Sequence, residues 1–170
     1  MNPRVDSSAA FTTAAATLNV QAPAGFYTGT LGEKDILFIS FTPVITPSQQ
    51  TSNPPANLRF GNLEFNLSLY LNDQLLEGQS FAVPLALSID YDPALLGGLN
   101  AETLGLWYWN GTAWSTDGII ILSNDVANHF VTVSLSHLSQ FAFFAAAPTG
   151  LDPGDEPLRP FNLYLPSMNK

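Results

Sequence analysis

The chain predicts an all-β fold, an antiparallel β-sandwich, and three observations carry that expectation. Two stretches, Leu63, Phe65, Leu67, Leu69, Leu71 and Phe81, Val83, Leu85, Leu87, Ile89, put apolar residues at every second position. That period places one set of side chains on one face of a sheet. Turn signals built from Gly, Pro, Asn and Asp recur at short intervals between such runs. Helical periodicity is almost absent. A single short helical turn is expected near residues 93–97, with Asp92 as its cap, Pro93 at its first position and Gly97-Gly98 at its end. Many short strands with regular turns and little helix describe a sandwich or an open barrel.

The elements follow in order. Residues 1–16 are small and polar and read as a flexible lead-in. Residues 17–147 form the expected sandwich domain. Leu18 and Val20 alternate with polar neighbours up to the Pro23-Ala24-Gly25 turn. Residues 26–31 read as a weak strand, residues 32–35 as a turn, and residues 36–41 as a strong strand whose nearly continuous apolar character predicts a central position. Residues 43–58 hold four prolines among Ser, Gln, Asn and Thr. That is a long loop for a compact domain, expected as a surface excursion, with an insertion or binding loop as the alternative. The two alternating strands come next, separated by an Asn72-Asp73 turn. Pro84 cannot donate to a ladder, so its strand is expected at an edge or with a bulge.

Asp90 and Asp92 are two carboxylates, a thin shell for calcium, and capping is the expected role. Residues 104–109 form a strand closed by Asn110-Gly111, a strong hairpin signal. Residues 112–114 return, residues 115–118 turn, residues 119–122 form a strand and Asn124-Asp125 turns again. Residues 130–135 and 141–147 are the last two strands, and residues 148–170 read as a Pro/Gly-rich acidic linker with a short apolar-polar tail. Asn66-Leu67-Ser68 and Asn110-Gly111-Thr112 match the N-glycosylation pattern, which matters only in a eukaryotic secretory route.

Composition narrows function. A chain of 170 residues suits one domain with a tail to spare. Charged residues make up 11%, about half the usual share of roughly 25%, so solvent faces must be built from Ser, Thr, Asn and Gln, as in many secreted β-proteins. The net charge is −9, and between Lys34 and Arg159 only Arg59 is positive. A phosphate backbone needs a cationic footprint, so neither nucleic acid nor an anionic membrane surface is an expected partner. With no cysteine and only His129 and His137, disulfides, thiolate sites and multi-histidine metal sites are not expected, and no cofactor is implied. No apolar run reaches membrane-spanning length, so no membrane insertion is expected. The start, Met1-Asn2-Pro3-Arg4-Val5-Asp6, has no apolar region of the kind a signal peptide needs. The chain is therefore read either as cytoplasmic or as part of a longer or processed one.

One constellation carries chemistry. Ser134-Leu135-Ser136-His137-Leu138-Ser139-Gln140-Phe141-Ala142-Phe143 sets a histidine two residues ahead of a hydroxyl, between two apolar alternating runs. With Leu106-Trp107-Tyr108-Trp109 and Trp114-Ser115-Thr116-Asp117-Gly118-Ile119 upstream, residues 106–143 resemble the GPS motif that closes the GAIN domain. That domain is the autoproteolytic β-sandwich of adhesion-type receptors and polycystin-like proteins. Trp109, Trp114 and Gly118 match the motif's tryptophans and glycine. Leu106, Ile119, Val133 and Leu135 stand where the family has its four cysteines, as expected if packing fills those inward positions instead of disulfides. The chain looks most like cysteine-free bacterial surface modules of this kind.

The resemblance implies cleavage in cis between Leu138 and Ser139. His137 would act as general base on the Ser139 hydroxyl. The oxygen would attack the Leu138 carbonyl carbon, giving an ester by N-to-O acyl shift that water hydrolyses. This is at most a single-turnover reaction, and the fragments 1–138 and 139–170 are expected to stay together through the final strand. His129 is read as a surface or satisfied histidine. The implied role is an extracellular surface or interaction module of the cell-adhesion kind, with a protein or glycan partner. The alternatives are a non-cleaving structural or adhesive sandwich and a carbohydrate-binding module using Trp107, Trp109, Trp114 and Tyr108 as a stacking platform. Core packing is the favoured role for Trp109 and Trp114.

Overall fold

In the computed structural model, which describes residues 1–148, eleven antiparallel strands form two facing sheets. The expected linker and tail lie outside the described residues, Pro148 excepted. The first sheet has the order β1 (Ser7–Thr12), β2 (Ala16–Ala22), β6 (Ser80–Tyr91), β10 (Phe130–His137), β9 (Ile119–Asp125). The second has the order β3 (Leu37–Pro43), β4 (Leu58–Leu71), β11 (Gln140–Ala146), β7 (Gly105–Trp109), β8 (Trp114–Ser115), with β5 (Gln74–Leu75) pairing the end of β4. The all-β sandwich that the alternation predicts is what forms.

The period-two residues do the work assigned to them. Leu63, Phe65, Leu67 and Leu69 of β4 and Leu85, Leu87 and Ile89 of β6 are buried in one core between the sheets. Fully burying such a side chain is worth about 1.5–3 kcal/mol, so the two strands alone supply much of the drive to close the sandwich. The helical turn forms as a 3-10 turn, Pro93–Leu96, in which the Asp92 carboxylate accepts the Ala94 N–H. Gly97 ends it at φ 56°, a left-handed conformation that glycine adopts without penalty.

Several expectations need correction. Residues 7–12, assigned to the loose lead-in, form β1 and pair residue for residue with β2. The segment shows only one large apolar side chain, and that one, Phe11, stacks on Phe41 of β3 at 5.2 Å to close one side of the sandwich. Residues 26–31 contain no strand; Phe26 is buried as a plug in an irregular stretch. The strand expected to be central, β3, is an edge strand. Its continuous apolar character comes from an outer-face pair, Phe38 stacked on Tyr70 at 5.2 Å, added to the inner set. Strand β9 runs on to Asp125, so the turn falls at residues 126–129. Asn110-Gly111 does not make a two-residue hairpin, because Trp109 pairs with Trp114 across a four-residue loop.

Pro84 is accommodated by a slip. Strand β6 is central from Ala86 to Tyr91, but β2 stops at the Gln21–Ala86 pair. Its pairing with β10 jumps from Leu135–Leu85 to His137–Ser80. Pro84 therefore sits where no ladder needs its missing N–H, and the bend turns Val83 out to solvent.

Candidate functional site

The irregularity at Pro84 ends at His137, and that is where the chain changes sheets. β10 belongs to the first sheet and β11 to the second, and only Leu138 and Ser139 connect them. Facing sheets lie about 10 Å apart, so a two-residue connection has little slack. The Leu138 side chain packs against the main core. The Ser139 carbonyl accepts the Leu67 N–H at 3.0 Å, which fixes the chain at the entry to β11.

His137 is half-buried and held on three sides. Its ring lies edge-on to Tyr108, centroids 4.3 Å apart. Its Nε2 lies 3.1 Å from the Asp117 carbonyl oxygen. A carbonyl only accepts, so Nε2 carries the hydrogen and, in the neutral ring, Nδ1 keeps the lone pair. The third wall is Gly118, at φ +75°, whose carbonyl accepts the Ser136 N–H. A methyl group at Gly118 would sit 2.2 Å from Ser136 Oγ and 2.9 Å from the His137 ring. Both the left-handed backbone and the close approach demand glycine here.

Ser139 is placed differently. Its hydroxyl donates to the Trp109 carbonyl at 3.2 Å. The ring of His137 and the hydroxyl of Ser139 thus lean on adjacent residues of β7, Tyr108 and Trp109, and make no hydrogen bond to each other among the described residues. Leu106, Ile119, Val133 and Leu135 are all buried in the main core. His129 immediately precedes β10, at the opposite end from His137, and lies edge-on to the buried Tyr91. Burial raises the Tyr91 hydroxyl above its ordinary pKa, and among the described residues that hydroxyl has no hydrogen-bond partner.

The tryptophans lie on the outer face of the second sheet. Period two puts Trp107 and Trp109 on one side and Tyr108 on the other, and the packing follows: Trp107 and Trp109 join Trp114, Ala142, Phe144 and Phe60 in a second apolar cluster, while Tyr108 joins the main core. The long loop of residues 43–58 is no loose excursion. It contains a 3-10 turn, Gln49–Ser52, whose Gln50 carbonyl accepts the Trp114 indole N–H at 2.9 Å. Thr51 is buried there.

Under the same loop lies a carboxylate that sequence reasoning missed. Glu64 occupies an outward position of β4, yet it is 2% exposed. One of its oxygens accepts the Ser48 N–H at 2.9 Å, and the other accepts the side-chain amide of Gln140, the first residue of β11. The signal available was the coincidence of one charged residue in an outward-facing polar row with a proline-rich loop long enough to cover it.

Among the described residues no three His, Cys, Asp or Glu side chains gather in a way that would hold a metal ion, and no helix is long and apolar enough to cross a membrane. No protein-family model matches the chain, and no curated protein gives a significant match.

Proposed function

We propose that this chain is an extracellular surface module, a β-sandwich that cuts its own backbone between Leu138 and Ser139. The observation that carries the reading is the two-residue passage from β10 to β11, with His137 on one side of it and the Ser139 hydroxyl on the other. The His137 tautomer set by the Asp117 carbonyl leaves Nδ1 free to accept a proton. Rotation of the Ser139 side chain away from the Trp109 carbonyl would bring its oxygen toward the Leu138 carbonyl carbon. The bond from Oγ to that carbon then forms, the Leu138–Ser139 amide bond breaks, and the proton passes through His137 to the released amine. Water then cleaves the ester. The location outside the cell rests on the resemblance to GPS-bearing surface modules and on the low charge of the solvent faces.

The second reading is a non-cleaving structural or adhesive sandwich, and one observation favours it: both reacting groups are already satisfied by backbone carbonyls rather than by each other. A sugar-binding platform is less well supported, because Trp109 and Trp114 pack edge-on against one another and Trp107 packs edge-on against Phe144.

Intact-mass measurement of the purified chain separates the first two readings. Cleavage predicts fragments ending at Leu138 and beginning at Ser139, and whole chains for Ser139→Ala and His137→Ala. One uncut species that persists at neutral pH in the wild type would overturn the proposal.

A further inference from the structure

The loop between β7 and β8 holds Asn110-Gly111, and Asn110 is the only asparagine of the chain followed by glycine. Residues 110–113 are all exposed. The Asn110 side-chain oxygen accepts three hydrogen bonds: from the Thr112 N–H at 3.0 Å, the Thr112 hydroxyl at 2.9 Å and the Ala113 N–H at 2.9 Å. The loop is fixed at its ends by the Asn110 N–H on the Ala113 carbonyl at 3.1 Å and by the pairing of Trp109 with Trp114. Donors that converge on one amide oxygen draw electrons from its carbonyl carbon, here Asn110 Cγ. They also stand where negative charge gathers when a nucleophile attacks that carbon, as the donors of an oxyanion hole do.

The nucleophile is the next atom group along the chain. Attack of the Gly111 nitrogen on Asn110 Cγ closes a five-membered ring, and a reaction within one molecule needs no encounter. Gly111 carries no side chain to shield that nitrogen. Among the described residues no atom lies within 4 Å of where a Cβ would stand. Other asparagines are placed differently. The amide nitrogens of Asn62, Asn72 and Asn128 donate to the Leu95 carbonyl, to Asp35 and to Asp125. Each is followed by a residue with a bulky side chain, Leu63, Asp73 or His129. Asn100 is the nearest match. Its side-chain oxygen accepts the Glu102 N–H at 2.9 Å, a single donor among the described residues, and Ala101 follows it.

We propose that Asn110 is a site of spontaneous deamidation, with Thr112 and Ala113 as the cradle of the reacting oxygen. Hydroxide takes the proton of the Gly111 N–H, and the nitrogen forms a bond to Asn110 Cγ. The bond from Cγ to Nδ2 then breaks, and Nδ2 leaves as ammonia with a proton from water. Water opens the cyclic imide at either carbonyl. Opening at Cγ gives aspartate, whereas opening at the main-chain carbonyl routes the backbone through Cγ and gives isoaspartate. Either way one water is consumed, one ammonia is released and the chain gains one negative charge. The isoaspartate product also lengthens the loop by one backbone atom, directly after Trp109, whose carbonyl holds the Ser139 hydroxyl. The reaction is independent of cleavage at Leu138, because Asn110 lies within residues 1–138 in either case.

The test holds the purified chain in warm, mildly alkaline buffer and follows each asparagine by peptide mapping, with Gly111→Ala and Thr112→Val in parallel. Products at Asn110, about 1 Da heavier, are expected to form at least about tenfold faster than at Asn100. Gly111→Ala is expected to slow them at least about tenfold, by shielding the nitrogen and straining the loop. Thr112→Val removes one donor of three and is expected to slow them about threefold, the share of one hydrogen bond. Near-ultraviolet circular dichroism of the Trp109–Trp114 pair checks that each variant keeps the loop. Conversion at Asn110 no faster than at Asn100 would overturn the proposal. So would a Thr112→Val chain that converts as fast as the wild type, since the dipeptide alone would then set the rate.

Discussion

The two apolar clusters of this sandwich are built on different principles. Between the sheets the core is almost all hydrocarbon and aromatic ring, the Tyr91 hydroxyl excepted, with Phe65, Phe141 and Phe143 fully buried among leucines and valines. On the outer face of the second sheet, Trp114, Ala142 and Phe144 are buried too, but the cover is a loop held by polar contacts: Gln50 to the Trp114 indole, Ser48 and Gln140 to Glu64. The inner core needs only the right alternation of residues. The outer one needs particular donors to meet particular acceptors across more than sixty residues of chain, and a buried polar group without its partner is costly. Inner burial sets the stability of the whole, whereas the latch sets where one loop lies.

Substitutions should separate the two. Phe143→Ala empties the inner core and is expected to destabilise the fold by about 3–5 kcal/mol, read as a lower denaturation midpoint with an unchanged slope. Glu64→Ala strands the Ser48 N–H and leaves the Gln140 amide only its long contact to the Ser48 hydroxyl at 3.4 Å. It is expected to lose about 1–3 kcal/mol, with faster amide exchange confined to residues 43–58. If Glu64→Ala matches Phe143→Ala and exchange quickens everywhere, loop and core form one cooperative unit and the distinction fails.

The smallest effect is electrostatic. The side-chain amide of Asn128, and after it the Asn128 backbone N–H, hold the Asp125 carboxyl below its ordinary value of 3.8. A lowered folded pKa means stabilisation present above the unfolded value and lost as pH falls through the folded one. Titration of Asp125 by NMR should show its pKa rising toward 3.8 in Asn128→Ala, and the turn after β9 should loosen in acid at a higher pH than in the wild type. An unmoved titration would remove Asn128 as the cause.

What could be read from the sequence follows the same division. β4, β6 and the Asp92 turn were legible because alternation and capping are local patterns. The edge position of β3 was not, since its run of apolar residues mixes an inner row with Phe38 on the outside. β1 was missed because Ser, Ala and Thr carry almost no pattern, and pairing with β2 decides the matter. At the junction, the spacing of His137 and Ser139 was visible and Gly118 stood out as a motif position, but its left-handed backbone and its close approach to Ser136 and His137 were not. Nor were the partners of His137 and Ser139, because the Asp117 and Trp109 carbonyls belong to the backbone and no residue type announces them.

The position of β11 bears on how the molecule comes together. It is the last strand of the described chain, yet it lies between β4 and β7 in the second sheet, and it pairs Gln140 with Asn66 and Phe144 with Gly105. During synthesis β4 and β7 must wait, their apolar faces uncovered, until residues 140–146 arrive. Contacts this distant in sequence form slowly and leave the chain open to association in the interval. A substitution that weakens β11 should therefore reduce the yield of folded protein more than the stability of the molecules that do fold.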